Sequence, residues 1–376
     1  MMTIEKLTER INERGVKIDV KQLDLEISLL EKAVEHLSIS LSLRVSQALD
    51  IALNRVNLNS SKTMVDFFYG YHQLPVTKIT SKSKTPSLDS DTLSPFAHSN
   101  EDVKKYIEYR SYSKNLHLLN NIKKEVVYGD EVHTNFDCNG ALSGRFTSQA
   151  PNLQQIPSSY RRLFVPRKGF SFLCIDLKQA EPTLAYALAG SPIDGDIYSK
   201  VANQLNISRD QAKVFNIGVS YGMTPAGLAS LLKCSKSVAQ AYINSWKLQN
   251  PQLVSYIQKI NEDAAKNGFV SIYDNSHAVK DFFEFNTESS YQSNRAFNIH
   301  IQGSLAKLIK IAMINIQEFL DSHSPNSHIV LTEHDELVIE LADSALQYVD
   351  KIVGMMENID GFSFKSKHVL SDCWSK

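Results

Sequence analysis

The stretch IVLTEHDELVIEL, residues 329–341, decides how this chain folds. Apolar residues alternate on both sides of a polar centre, so it reads as a β-hairpin with His334, Asp335 and Glu336 at its tip. Such tips usually carry Gly or Asn. This one carries neither, which makes the polar trio a candidate for chemistry. Upstream, FSFLCID, residues 170–176, reads as a short buried strand that ends on Asp176. The following QAEPTLAYALAG, residues 179–190, reads as a helix closed by Gly190. A carboxylate at a strand end projects into solvent or a cleft. Two of them on adjacent strands can bridge two magnesium ions about 3.5–4 Å apart, as phosphoryl transfer requires. Magnesium is satisfied by one or two carboxylates plus substrate phosphate oxygens. Taken singly, each aspartate also reads as a turn or cap residue. A sheet holding Asp176 and the hairpin among many helices gives an α+β fold.

A second constellation is Arg209, Lys213, Ile217 and Tyr221, followed by Gly222. Steps of four lay these side chains along one face of a helix, over about 18 Å. That length accommodates a triphosphate beside a nucleoside, with the two cations on phosphate oxygens and the tyrosine at the base or sugar end. The alternative is a solvated basic face with a core tyrosine.

Around these motifs, residues 3–14 and 21–56 read as amphipathic helices separated by GVKID, residues 15–19. The Ser/Thr/Pro/Lys-rich segment 75–100 reads as a mobile loop. Its Lys78, Lys82 and Lys84 either follow a phosphate backbone or are simply solvated. Residues 101–124, most of 196–265, and 291–321 read as helical. No internal repeat is present.

The chain of 376 residues has 43% hydrophobic content and a formal net charge of −1. A nucleic-acid enzyme of this charge needs a local basic groove rather than a global field. The four cysteines, Cys138, Cys174, Cys234 and Cys373, are far apart and form no CxxC pair. That spacing speaks against zinc and for reduced thiols in a cytoplasmic setting. No run of about 18 apolar residues is present, so no membrane span is expected, and the charged N-terminus is unlike a signal peptide.

The motifs, in order, resemble the polymerase domain of family A (Pol I-type) DNA polymerases. GVKID resembles GVxID, and NLNSSKTMVDFF, residues 57–68, resembles the thumb segment NLSSxKQL. IEYRSYSKNL, residues 107–116, resembles LEYRxLxKL, and GRFTSQAPNLQQIP, residues 144–157, resembles GRLSSxxPNLQNIP. DLKQAE, residues 176–181, resembles motif A, DYSQIE. RDQAKVFNIGVSYGMTPAGLA, residues 209–229, resembles motif B, RxxAKxxNFGxxYGxxxxGLA. FNIHIQGSLAKLIKIAM, residues 297–313, resembles INxPxQGxAADIIKxAM, and TEHDELVIE, residues 332–340, resembles motif C, VHDELxxE. Each motif is weak to moderate alone; their collinearity is what makes the resemblance specific.

The resemblance implies a right-hand architecture of palm, fingers and thumb, with an antiparallel palm sheet carrying the metal site. The expected divisions are palm at 1–25, thumb at 26–125, palm with motif A at 126–195, fingers with motif B at 196–290, and palm with motif C at 291–376. It places two Mg2+ ions on Asp176, Asp335 and the carbonyl of Leu177, with Glu336 as a third acidic group. Arg209 and Lys213 match cations on the incoming triphosphate, and Lys213 matches a proton donor to pyrophosphate. Tyr221 matches the residue under the nascent base pair, with Ile217 and Gln179 also at the nucleotide. Glu181 matches the group that fills the space of a ribose 2′-OH. Arg145, Asn298 and Gln302 match contacts to the primer–template minor groove, and His334 a residue near the primer terminus.

The implied partners are a DNA primer–template, deoxynucleoside triphosphates and an accessory or single-strand-binding protein. The implied reaction is template-directed DNA synthesis without proofreading, in a compact form resembling those of phages and mobile genetic elements. The alternatives are a primase-like enzyme that starts chains without a primer, and an inactive nucleic-acid-binding remnant. Several positions depart from the pattern. Leu177, Lys178 and Ala180 stand where Tyr, Ser and Ile are usual, and Ile217 replaces an aromatic residue. Tyr198 stands where a phosphate-contacting His is common, and YDNSHAVKDFF, residues 273–283, replaces a basic segment. Shortening near 190–197 and 203–209 points to trimmed fingers. These departures bear on sugar selectivity, processivity and speed.

Overall fold

The apolar strand ending on Asp176 and the hairpin pair as expected, within a four-stranded antiparallel sheet. The computed structural model describes residues 2–126, 129–273, 278–279 and 290–375. Strand β1 is Phe170–Lys178, β2 is His328–Glu333, β3 is Glu336–Ala342 and β4 is Lys365–Ser371. Their order is β4-β1-β3-β2, with every neighbour antiparallel. Phe172, Leu173 and Ile175 of β1 are fully buried, as is every residue of β3. Burial of each large aliphatic or aromatic side chain stabilises the sheet by roughly 1.5–3 kcal/mol. Buried within β3, the Glu340 carboxylate accepts from Arg14 at 2.5 Å and from Arg167 at 2.8 Å. A buried carboxylate survives only with such partners.

Contact clustering divides the chain into two compact units, residues 1–17 with 133–376, and residues 18–132. The sheet lies in the first unit, together with helices α1 (Ile4–Arg14), α4 (Ala180–Leu188), α5 (Ile197–Leu205) and α6 (Arg209–Ser220). They are followed by α7 (Pro225–Leu232), α8 (Lys236–Gln249), α9 (Pro251–Asn267), α10 (Ser290–His323) and α11 (Val349–Glu357). The helical region 196–265 is cut into separate helices because Asp196, Ser208, Thr224 and Ser235 each cap an N-terminus with a side-chain oxygen. Phe215, Leu228, Trp246 and Leu253 form the shared core of these helices. The buried Asn216 amide oxygen there accepts from the Trp246 indole at 2.9 Å, so neither polar group is stranded.

The second unit is built on α2 (Val20–Leu49) and α3 (Glu101–Glu125), with Leu41, Val45, Phe67, Phe68, Val103 and Tyr106 in its core. The segment expected to form the thumb falls within it. Helix α2 stops at Leu49, short of the expected 56, because Asp50 takes a left-handed conformation with φ 49°. The loop expected at 75–100 is more structured than its composition suggests. Ser87 and Leu93 are fully buried. Tyr69 donates to the Ser87 carbonyl at 2.5 Å, and Lys78 pairs with Asp89 at 3.0 Å. Most of the YDNSHAVKDFF departure lies outside the described residues. Among the described residues no helix is long and apolar enough to cross a membrane.

Candidate active site

The hairpin tip is tighter than a three-residue loop. Glu333 and Glu336 are direct cross-strand partners, so the turn is His334 and Asp335 alone. His334 has φ 58°, the left-handed region that normally selects Gly or Asn. A non-glycine residue held there is strained, and such strain clusters at functional sites. His334 is exposed and Asp335 half-buried. Asp176 is also half-buried and lies opposite Glu336 across β1 and β3. The amide of Leu177 donates to the carbonyl of Asp335 at 3.2 Å, which ties the strand end to the turn. Both aspartates therefore sit at one end of the sheet, Asp176 near the end of β1 and Asp335 in the turn that leads into the neighbouring β3.

Glu336 is placed differently from the two aspartates. It is 1% exposed, and one oxygen accepts from Arg161 at 2.9 Å while the other accepts from the Trp374 indole at 2.7 Å. Arg161 also pairs with Glu333 and lies over the Trp374 ring, 4.3 Å from its centroid. One buried arginine thus holds the residues on both sides of the His334–Asp335 turn. Sequence reading did not find Arg161 or Trp374. They lie 175 and 38 residues from Glu336, and only the tertiary fold brings them to it.

Three further expected residues converge. Glu181, in the first turn of α4, accepts from Arg145 at 2.5 Å and from the Tyr221 hydroxyl. Burial, reinforced by the Glu181 charge, pushes the Tyr221 phenol far above its usual range, so it remains a donor. Glu181, Ile217 and Tyr221 line a small, nearly filled pocket of ≈ 10 Å³ with Leu253 and Phe297.

Helix α6 presents the basic stripe. Its N-terminus carries a reciprocal capping box between Ser208 and Gln211, which fixes Arg209 at the first helical position. Arg209 pairs with Asp196 at 2.7 Å and lies over the Tyr198 ring, 5.5 Å from its centroid. Burial pushes the Tyr198 phenol up to about 12. Lys213 is exposed, and among the described residues it makes no ion pair. Gln179 has φ 53°, and its side-chain oxygen accepts from the Ile197 amide at 3.1 Å, tying the end of β1 to α5. Asn298 and Gln302 sit one helical turn apart on α10, with the Asn298 amide oxygen buried and, among the described residues, without a hydrogen-bond partner. Gly303 beside them is required: a Cβ there would lie 2.7 Å from Ile272 Cγ2 and 3.3 Å from the Ser143 carbonyl.

Among the described residues, no group of three or more His, Cys, Asp or Glu is arranged to enclose a metal. The expected divalent-cation ligands are the Asp176 and Asp335 carboxylates and the Leu177 carbonyl. They form a hard, oxygen-only and incomplete set, which suits an ion that takes its remaining ligands from phosphate and water.

A profile of DNA polymerase family A matches residues 27–369. DNA polymerase I of Caldicellulosiruptor bescii is 32% identical over 358 residues, covering 87% of this chain and 41% of that protein. DNA polymerase I of Pseudomonas aeruginosa is 27% identical over 375 residues, covering 93% and 40% respectively. The chain thus spans about two-fifths of the length of these relatives. Among solved structures, the POL domain of Pol1 from M. smegmatis, in complex with DNA primer-template and dNTP, matches with a TM-score of 0.85. That match is 21% identical and covers 99% of this chain and 69% of the other, so the fold is shared throughout. Since the matched span contains both aspartates, the basic helix and the Arg145–Glu181–Tyr221 cluster, the chain belongs to DNA polymerase family A.

Proposed function

We propose that the chain is a template-directed DNA polymerase that adds deoxynucleotides to a primer 3′-OH. The Leu177–Asp335 backbone hydrogen bond supports this reading most, because it joins the strand that carries Asp176 to the turn that carries Asp335. Family A polymerases use divalent metals; here Asp176, Asp335 and the Leu177 carbonyl would hold two Mg2+ ions. When bound, these ions activate the attacking hydroxyl and neutralise charge developing on the phosphates. Everything else falls to the chain's own groups. Arg209 and Lys213 bind triphosphate oxygens, and Lys213 donates a proton to the departing pyrophosphate. Tyr221 and Ile217 border the base and sugar, with Gln179 positioning α5 behind them.

Glu181, held from two sides, fills space that a ribose 2′-OH would need. Arg145, Asn298 and Gln302 face minor-groove acceptors, which every Watson–Crick pair presents, so they sense pair shape rather than sequence. His334 meets the primer terminus. Glu336 acts through the position of Asp335, given its two buried partners. Residues 26–125 supply the thumb, 196–290 the fingers, and 1–25, 126–195 and 291–376 the palm. The primer–template and deoxynucleoside triphosphates are the substrates. An accessory protein with a basic surface would add grip to a chain whose net charge is −1. Four unpaired thiols suit a cytoplasmic setting.

The test is extension of a labelled primer on a template with and without magnesium, beside a primer-free reaction on single-stranded template. Magnesium-dependent extension that Asp176→Ala abolishes is the expected result. Extension that persists in Asp176→Ala overturns the site, and synthesis without primer selects the primase-like reading instead.

A further inference from the structure

Asp196 stands between the strand end that carries Asp176 and the helix that carries Arg209. One carboxylate oxygen accepts from the Tyr198 amide at 3.0 Å, the N-cap bond of α5. The other accepts from the Ser199 hydroxyl at 2.8 Å and from Arg209 Nε at 2.7 Å. The adjoining Ile197 amide is bound by Gln179, three residues beyond Asp176. Arg209 rests on the face of Tyr198, which is 3% exposed, so the guanidinium has a fixed platform beneath it. Burial works against ionisation of Asp196, but the bonds from Arg209, Ser199 and the Tyr198 amide outweigh it and hold the carboxyl below its usual range.

Two features make this ion pair exchangeable. Its side chains are 52% and 32% exposed, so release of Arg209 strands no buried charge. A carboxylate also presents to a guanidinium the same pair of acceptor oxygens as a phosphate, with less charge. We propose that Asp196 is an internal competitor for the triphosphate: it holds Arg209 when no nucleotide is bound and yields it when a nucleotide arrives, and so sets nucleotide affinity. This rests on the reading of Arg209 as a triphosphate ligand.

A purely structural pair would behave in the opposite way. If Asp196 only clips α5 to α6, its removal loosens α6 and weakens nucleotide binding. If it competes, removal of its charge strengthens binding. Asp196→Asn separates the two, because Asn caps a helix as well as Asp while carrying no charge. The experiment measures the Kd of dATP on a complex of the protein with a primer–template whose primer ends in a dideoxynucleotide, so that no chemistry follows.

The expected result is a Kd lowered roughly two- to fivefold in Asp196→Asn, the range an exposed ion pair supports, with an unchanged melting temperature. The difference should shrink as salt is raised. In an Arg209→Ala background, Asp196→Asn should give no further tightening. An unchanged or raised Kd in Asp196→Asn, alongside weakened binding in Arg209→Ala, overturns the competition. So does equal tightening in the Arg209→Ala background, which would mean simple charge repulsion. If Arg209→Ala leaves the Kd unaltered, the triphosphate assignment itself fails.

Discussion

The amide of Leu177 donates to the carbonyl of Asp335 at 3.2 Å, so a backbone hydrogen bond fastens the strand end that carries Asp176 to the hairpin turn. That bond uses backbone atoms, which an Asp→Asn change leaves in place. Asp176→Asn and Asp335→Asn should therefore fold normally. Each should lower kcat for primer extension by about 10³-fold or more, the several kcal/mol expected when one ligand leaves a two-metal site. Circular dichroism and a melting curve check the fold, and single-turnover extension checks the chemistry. Near wild-type extension by either variant places the metals elsewhere.

Arg161 is the buried cation beneath that turn, shared by Glu333 and Glu336. Arg161→Gln removes an ionic partner of the fully buried Glu336 carboxylate. Breaking such a pair from one side costs about 3–5 kcal/mol. Trp374→Phe keeps a ring on Arg161 but removes the donor to Glu336, which should cost about 1–3 kcal/mol. Urea unfolding of both variants gives the comparison. A loss below 1 kcal/mol for Arg161→Gln would show that water reaches this node.

Glu181 is gripped by Arg145 and Tyr221, so its position is defined before any nucleotide arrives. Glu181→Ala should raise the ratio of ribonucleotide to deoxynucleotide incorporation by about tenfold or more, a discrimination worth about 1.4 kcal/mol. Tyr221→Phe, which removes one of the two restraints, should raise it less. Competition assays with paired nucleotides read both ratios. If Glu181→Ala leaves the ratio unaltered, sugar selection lies with other residues, Ile217 and Lys178 foremost.

What the sequence revealed follows the range of the interactions. The hairpin around His334–Asp335 was legible because alternation is local, and the α6 stripe because its steps of four are local too. The segment 75–100 misled, since its Ser, Thr and Lys content hides two buried anchors, Ser87 and Leu93. Arg161 and Asp196 gave no signal at all. An arginine before RLFVP and an aspartate before a short helix are ordinary until the fold delivers Glu336 to one and Arg209 to the other.

His328 allows a pH prediction. Burial, with Arg14 next in weight, lowers its pKa from the usual value of about 6.5 to about 4. Arg10 acts in the same direction, while Asp321 and Glu340 oppose it. Between those two values the unfolded chain binds a proton at this position and the folded chain does not. Stability must therefore fall as the pH drops from about 6.5 toward about 4, and this contribution is fully present only above that window. The buried His300, whose pKa is also lowered, acts with the same sign. Replacement of His328 by Gln removes one titrating group and leaves the carboxylates in place, so the difference between the two proteins isolates it. Wild type should lose about 1 kcal/mol more than His328→Gln between pH 7 and pH 5, a figure reduced from the full linkage value because the side chain is only partly buried. Urea midpoints at the two pH values measure it. Parallel losses in both proteins would mean that His328 is protonated in the fold, with Asp321 and Glu340 outweighing burial and the arginines.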